Sequence, residues 1–202
     1  KMKFFFFFFQ KINSEALDTS NILWSWIGSF LGIISIAFFH KSFLDDHNLM
    51  LVLSSFGASA VLIYGAVNSN LAQPKNLIGG HLISAVIGVV SYKLFEPNLF
   101  FAAAIAVSTS ILMMQLTLTL HPPGGATALI AVIGNEQIHE LGFFYVVIPV
   151  LSGATILFLI AFIINNIPKN RAYTKSYKDF LRKHYKRLKR KRLKNKSNDL
   201  QQ

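Results

Sequence analysis

Residues 99–134 read LFFAAAIAVSTSILMMQLTLTLHPPGGATALIAVIG. The first part, Leu99–Leu120, has no charged residue and is long enough to cross a hydrocarbon core of ~30 Å, which takes about 20 mainly apolar residues. It stops at His121-Pro122-Pro123-Gly124-Gly125. The apolar run that resumes, Gly124–Gly134, reaches only about half-way across at ~1.5 Å per residue. Working outward, Ile22–Phe39, Leu77–Phe95 and Phe143–Ile164 are also of full length, and Leu49–Ala66 is a second stretch interrupted by Gly and Ser. A helix satisfies its own backbone in lipid, so the fold class is all-α, a polytopic membrane protein with four to six transmembrane segments. The two interrupted stretches are either crossings completed by flanking residues or half-helices, which are tolerated only where protein or a watery cavity satisfies the backbone.

Composition agrees. Of 202 residues 52% are apolar and 14% charged, against roughly 25% charged in a soluble domain. Cysteine is absent, which excludes disulfides, thiolate metal sites and cysteine nucleophiles. The formal net charge of +11 is uneven: only Lys1, Lys3, Lys11, Lys41, Lys75 and Lys93 precede the 14 basic residues that run from Lys169 onward. The chain divides into an interfacial N-terminal segment (1–21), a membrane domain (22–164) and a basic tail (165–202). The Phe4–Phe9 run is too short to span. In the tail, Tyr177, Leu181, Tyr185 and Leu188 recur at helical spacing among Lys and Arg, the pattern of a helix lying on anionic lipid rather than on nucleic acid. The positive-inside tendency places that tail in the cytoplasm, and an even number of crossings returns the N-terminus to the same side. With six crossings Lys75 also falls inside; with four it falls outside.

The two interrupted stretches resemble each other. Gly57-Ala58-Ser59-Ala60 aligns with Gly125-Ala126-Thr127-Ala128 at a constant offset of 68, and each lies between longer apolar segments. The chain then reads as two long–short–long repeats. If every segment crosses, the copies are inverted, an arrangement that places interrupted segments at a solute site. Pro122 and Pro123 suit the first turn of a helix, Gly124 and Gly125 admit close approach to the backbone, and a helix start with free N–H groups attracts anions. The expected substrate site therefore takes in His121, Pro122, Pro123, Gly124, Gly125, Ala126 and Thr127 with Gly57, Ala58 and Ser59. Gln115 and Thr119 precede it, and Gln73, Asn76 and His81 flank the partner segment. Thr117 reads as ordinary helix–helix hydrogen bonding.

At these residues the chain resembles a known family. His121–Gly134, Phe56–Val67 (FGASAVLIYGAV) and Leu71–Val89 (LAQPKNLIGGHLISAVIGV) are similar to the ordered motifs of the HPP family of integral membrane proteins. The resemblance covers roughly Ile22 to Ile164. It implies a fold usually described with four transmembrane helices and, from plant chloroplast and cyanobacterial members, transport of nitrite.

The nine acidic residues fall in loops or termini, which weighs against a cation path or a carboxylate relay. No Ser–His–acid set or His/carboxylate cluster is evident, so neither an enzyme nor a metal or other cofactor is expected. His121 is the expected titrating group beside the anion, His81 reads as a neutral donor fixing a turn, and His40, His47, His139 and His184 as loop or tail residues. The sequence thus predicts a transporter of a small monovalent oxyanion, nitrite by resemblance. The alternatives are a passive channel, or an anchor or sensor that recruits a partner through its tail. The expected partners are the anion and membrane lipid, with no nucleic acid. About 140 residues make a small body for a pore, so a homodimer or larger oligomer is expected. The expected location is a bacterial inner (plasma) membrane with both termini cytoplasmic.

Overall fold

The computed structural model describes residues 19–168, 171–174 and 179. The Phe4–Phe9 run and the expected tail helix lie outside the described residues. Seven α-helices follow in chain order: α1 (Thr19–His40), α2 (Asp46–Ala60), α3 (Pro74–Phe95), α4 (Leu99–Leu116), α5 (Pro123–Ile133), the short α6 (Glu136–Leu141) and α7 (Ser152–Ile164). A wider π turn, Val61–Gly65, prolongs α2, and another, Val146–Leu151, leads into α7 across a break at Ile148-Pro149. Five of these units are long and apolar enough to cross a membrane, and α5 is the shorter apolar one.

Hydrogen bonds at both ends of α5 decide what that short helix does. Just before its start, the carbonyl of Leu120 accepts from the Asn76 amide at 2.9 Å, at the first turn of α3. Just past its end, the Asn135 amide donates to Asp45, the cap of α2, at 2.7 Å. The helix, ~16 Å long at 1.5 Å per residue, therefore joins the same two faces as its long neighbours, with residues 118–122 and Asn135 making up the height. Six segments alternate in direction, α2 and α5 run antiparallel, and the two copies are inverted. This is two segments more than the four-helix description that the family resemblance implied.

Several expectations need correction. The stretch Leu49–Ala66 is a full-length crossing: the Asp45 carboxylate accepts the Asn48 N–H at 2.7 Å and so adds the polar turn Asp46-His47-Asn48, which hydropathy passes over. Gly57 consequently lies inside a helix and does not start one. The span expected to reach Leu120 ends at Leu116, where Leu118 takes a left-handed conformation (φ 57°). Such a conformation costs a non-glycine residue roughly 1–2 kcal/mol. It is held by Thr119 N–H on Met114 O at 2.8 Å and by the Thr117–Thr119 hydroxyl pair at 2.7 Å. His40 is no loop residue. It is fully buried at the end of α1, bonded to Ile36 O at 2.9 Å and Ser152 Oγ at 2.8 Å.

The boundary at residue 164 also falls inside the packed body. Arg171 donates to Asn21 Oδ1 (2.6 Å), Asn21 O, Ser25 Oγ (2.7 Å) and Asn165 Oδ1 (3.2 Å), tying the chain after α7 to the start of α1. Tyr173 is fully buried, and its hydroxyl donates to Ala72 O at 2.7 Å. Both ends of the described chain thus meet on one face, here the tail face; Asp45 and Asn135 mark the opposite, loop face.

In packing, the first helix of each copy lies against the second helix of its own copy and the third unit of the other: α1 on α2 and α7, α4 on α5 and α3. The tightest seam is α3 on α5. A Cβ on Gly88 would stand 2.5 Å from Ala128 O, and one on Gly124 would stand 2.8 Å from Ser84 Oγ and 3.0 Å from Gly80 O. Small residues are what let helices approach this closely in lipid, where packing rather than the hydrophobic effect holds them together.

Candidate functional site

Where α2, α3 and α5 meet, five polar side chains form one buried string. His81 projects from α3 between the two copies. Its Nε2 lies 2.8 Å from Ser59 Oγ of α2, and its Nδ1 lies 2.7 Å from Thr127 Oγ1 of α5. Ser59 and Thr127 are the matching hydroxyls of the two Gly-Ala-Ser/Thr strings, so one imidazole is held by the same position of both copies. Ser59 Oγ also meets His121 Nε2 at 2.9 Å, and His121 Nδ1 donates to Leu71 O at 2.8 Å. At the other end Ser55 Oγ lies 2.8 Å from Thr127 Oγ1 and 3.0 Å from Pro123 O. The two rings are 5.0 Å apart, and Phe56 packs 4.9 Å from His81. Tyr145 closes the group by donating to Thr127 O at 3.0 Å. Ser55, Ser59, His81, His121 and Thr127 are all buried.

Local structure accounts for this convergence. Ser55 and Ser59 are one helical turn apart and so share a face of α2. His121 is held in place because Gly80 of α3 has no side chain: a Cβ there would stand 2.5 Å from His121 Cβ. Asn76 fixes Leu120 just before it. Gln73 bonds back to Ser69 O at 2.9 Å, which shapes the Asn70–Ala72 turn that presents Leu71 O.

The other expected site residues are not gathered here. Gly57 opens into a cleft of about 630 Å³ between α1 and α2 that also borders Trp26, Phe30 and Tyr64. Gly125 and Ala126 open, with Pro122 and Gln115, into a second cleft of about 550 Å³ between α4 and α5. Ala58 is exposed. Thr119 packs its methyl group against Gly79. The helix start itself offers no free N–H pair: the prolines have none, Gly124 N–H donates to His121 O at 2.8 Å, and Gly125 N–H to Pro122 O at 3.0 Å. The helix start at Gly124-Gly125 thus offers an anion no bare N–H pair, contrary to expectation, and the expected site residues that do converge are those of the side-chain string. Ser55 and Tyr145 were not singled out from the sequence. The spacing of Ser55 one turn before Ser59 could have found the first, whereas no local pattern marks the second.

Between residues 19 and 174 every described Asp, Glu, Lys and Arg lies in a loop or in the end turn of a helix, and among the described residues no group of three His, Asp or Glu is placed to hold a metal ion. On the loop face the copies meet again, through neutral amides around one carboxylate. Asp45 accepts from Asn48 and Asn135, while Asn48 donates to Gln137 at 3.1 Å and to Asn135. The Asn48 backbone N–H and then the Asn135 amide hold the Asp45 carboxyl below its usual range.

An all-helical membrane protein of two inverted copies, with one hydroxyl–imidazole string buried where they cross, is the class that this fold and site define. The chain belongs to the HPP transmembrane family, whose description, "HPP, transmembrane region", matches residues 14–174. Two Dictyostelium discoideum proteins named only as transmembrane proteins are similar to it. One is 48% identical over 159 residues (77% of this chain, 55% of the relative), the other 45% identical over 159 residues (77% and 51%). The chain thus spans about half the length of the curated relatives that it matches. No solved structure matches.

Proposed function

We propose that the protein is a carrier that moves a small monovalent oxyanion, nitrite in the first instance, across the membrane that holds it. The observation that carries this reading is the string Ser55–Thr127–His81–Ser59–His121 at the crossing of two inverted copies. Polar groups inside a membrane are costly and mark solute paths, and inverted copies with interrupted segments build such sites at their interface. The resemblance supplies nitrite as the candidate. The neutral interior suits a weakly held monovalent ion, since among the described residues no buried Lys or Arg would trap it and no buried carboxylate would repel it. The string is sealed from both clefts. That favours a carrier, whose copies must separate to admit solute, over a channel with a standing pore.

The test is uptake by the purified chain in liposomes, with protein-free liposomes subtracted because nitrous acid crosses bare lipid. Saturable nitrite uptake, exceeding that of nitrate, formate and chloride, is the expected result. Flux that rises linearly with concentration for all four anions would indicate the channel instead. The anchor reading is tested by truncation after Thr174, which leaves the Arg171 and Tyr173 contacts in place: a carrier keeps its flux.

A further inference from the structure

We infer that the buried string is a binding site for a single proton, and that this proton travels with the anion. The inference rests on the transport reading above and adds its coupling ion. It follows from counting hydrogens. The string runs between two carbonyl oxygens, Leu71 O and Pro123 O, both of which can only accept. Between them stand His121, Ser59, His81, Thr127 and Ser55, making six hydrogen-bond gaps along the string, with one side branch where Ser59 Oγ reaches Ser55 O at 3.3 Å. Each of the five side chains, when neutral, brings one hydrogen to the string. Five hydrogens cannot fill six gaps, so the neutral string always leaves one gap in which two acceptors face each other.

The neutral order starts at His121, whose Nδ1–H is fixed on Leu71 O. Ser59 then donates to His121 Nε2, His81 Nε2–H to Ser59, Thr127 to His81 Nδ1, and Ser55 to Thr127. Pro123 O is left without its hydrogen from Ser55. One proton added at His121 Nε2 reverses the whole order: His121 donates to Ser59, Ser59 to His81, His81 to Thr127, Thr127 to Ser55, and Ser55 to Pro123 O. All six gaps are then filled and one positive charge is spread over two imidazoles. A second proton finds only the Ser59–Ser55 O branch at 3.3 Å and would put two positive charges on rings 5.0 Å apart. The remaining titratable group in contact is Tyr145, which donates to the Thr127 carbonyl and takes no part in the string. The other groups packed on the two rings are Phe56 of α2, Gly80 of α3 and Leu71 of the preceding turn, none of them charged.

The anion supplies the complementary need. Among the described residues no fixed charge reaches this depth, so a bare monovalent anion would enter uncompensated, at a penalty of several kcal/mol. A proton taken from water onto the string brings the pair to neutrality, and both leave together on the far side. Transport is then electroneutral, with one proton for each anion.

Two measurements on the full chain test this. In lipid nanodiscs with nitrite present, ¹⁵N-histidine spectra, with His81→Asn and His121→Asn used for assignment, should show the two rings taking up one shared proton as pH falls. Two separate titrations, or none, would overturn the inference. In liposomes with the membrane potential clamped, nitrite uptake should carry one proton per anion and no current. His121→Asn should lower the proton-linked flux by about tenfold, Thr127→Val should abolish the coupling, and Thr127→Ser, which keeps the hydroxyl, should restore it. Nitrite uptake that carries current and moves no proton overturns the shared proton and leaves transport standing. Absence of nitrite uptake in the parent overturns the transport reading, and the proton site then stands or falls on the nanodisc spectra.

Discussion

The two Gly-Ala-Ser/Thr strings keep the same register in different settings. In the first copy the string lies deep inside α2; in the second it opens α5, directly behind two prolines. In both, the glycine opens into the cleft between the first and second helices of its copy, and the hydroxyl two residues later turns inward to His81. What differs is the preceding turn. The first copy continues as helix and contributes Ser55; the second replaces helix with the non-helical Leu118–His121 segment and contributes a second imidazole. The shared register builds a symmetric clamp on one ring. The local departure from it supplies the other ring, and with it the capacity to hold an added proton.

That comparison can be broken at its glycines. Gly124→Val forces side-chain atoms into Ser84, Gly80 and Met114 and should cost about 3 kcal/mol or more, read as loss of the monodisperse peak in size-exclusion chromatography. A Cβ at Gly57 meets nothing within 4 Å and one at Gly125 only Val107 at 3.8 Å, so Gly57→Val and Gly125→Val should both elute and melt like the parent. If the clefts at these glycines serve solute passage, both should lose uptake while staying folded; normal uptake by both would confine the solute to the string itself.

A finer test removes the matched hydroxyls. Ser59→Ala leaves two imidazole nitrogens without a partner and Thr127→Val one. Each should destabilise by about 1–2 kcal/mol, with Ser59→Ala the larger. The double variant should fall short of the sum, because both act through His81. Unfolding in mixed micelles measures all three. Equal and fully additive losses would mean that the two copies hold the ring independently.

The smallest effects belong to the places where the copies diverge. Leu118→Gly relieves the left-handed conformation that ends α4 and should stabilise by about 1 kcal/mol, seen as a higher melting temperature. On the loop face the Asp45 carboxyl is held below its usual range. Its contribution to stability is therefore complete above the unfolded carboxyl value of about 3.9 and is lost as pH falls further. Asp45→Asn should melt earlier than the parent at neutral pH and lose the parent's additional drop below about pH 4.

Much of this was legible from residue order because the relevant signals are local. An uncharged run of 20 residues has few fates, and an offset repeat of Gly-Ala-Ser/Thr survives inspection. Ser59, His81, His121 and Thr127 were all visible as candidates. Their convergence was not, since it depends on α3 passing between two antiparallel helices. Polar helix ends escaped hydropathy for a related reason: the turn at Asp46 exists because a cap precedes it, not because lipid favours it. His40 looked like a loop residue until Ser152, 112 positions away, was placed against it. Arg171 looked like one more charge of the basic tail because its acceptors, Asn21 and Ser25, stand about 150 positions earlier.

That last contact sets an order of events during synthesis. The first described helix, α1, is clasped by almost the last described residues to leave the ribosome. At roughly 5–20 residues per second, about seven to twenty-six seconds separate the completion of α1 from the arrival of Arg171 and Tyr173. For that interval Asn21 and Ser25 lack their guanidinium partner. A nascent chain halted before residue 171 should therefore hold α1 loosely enough for a cysteine placed at Ser25 to react with a water-soluble maleimide, and release past residue 174 should protect it.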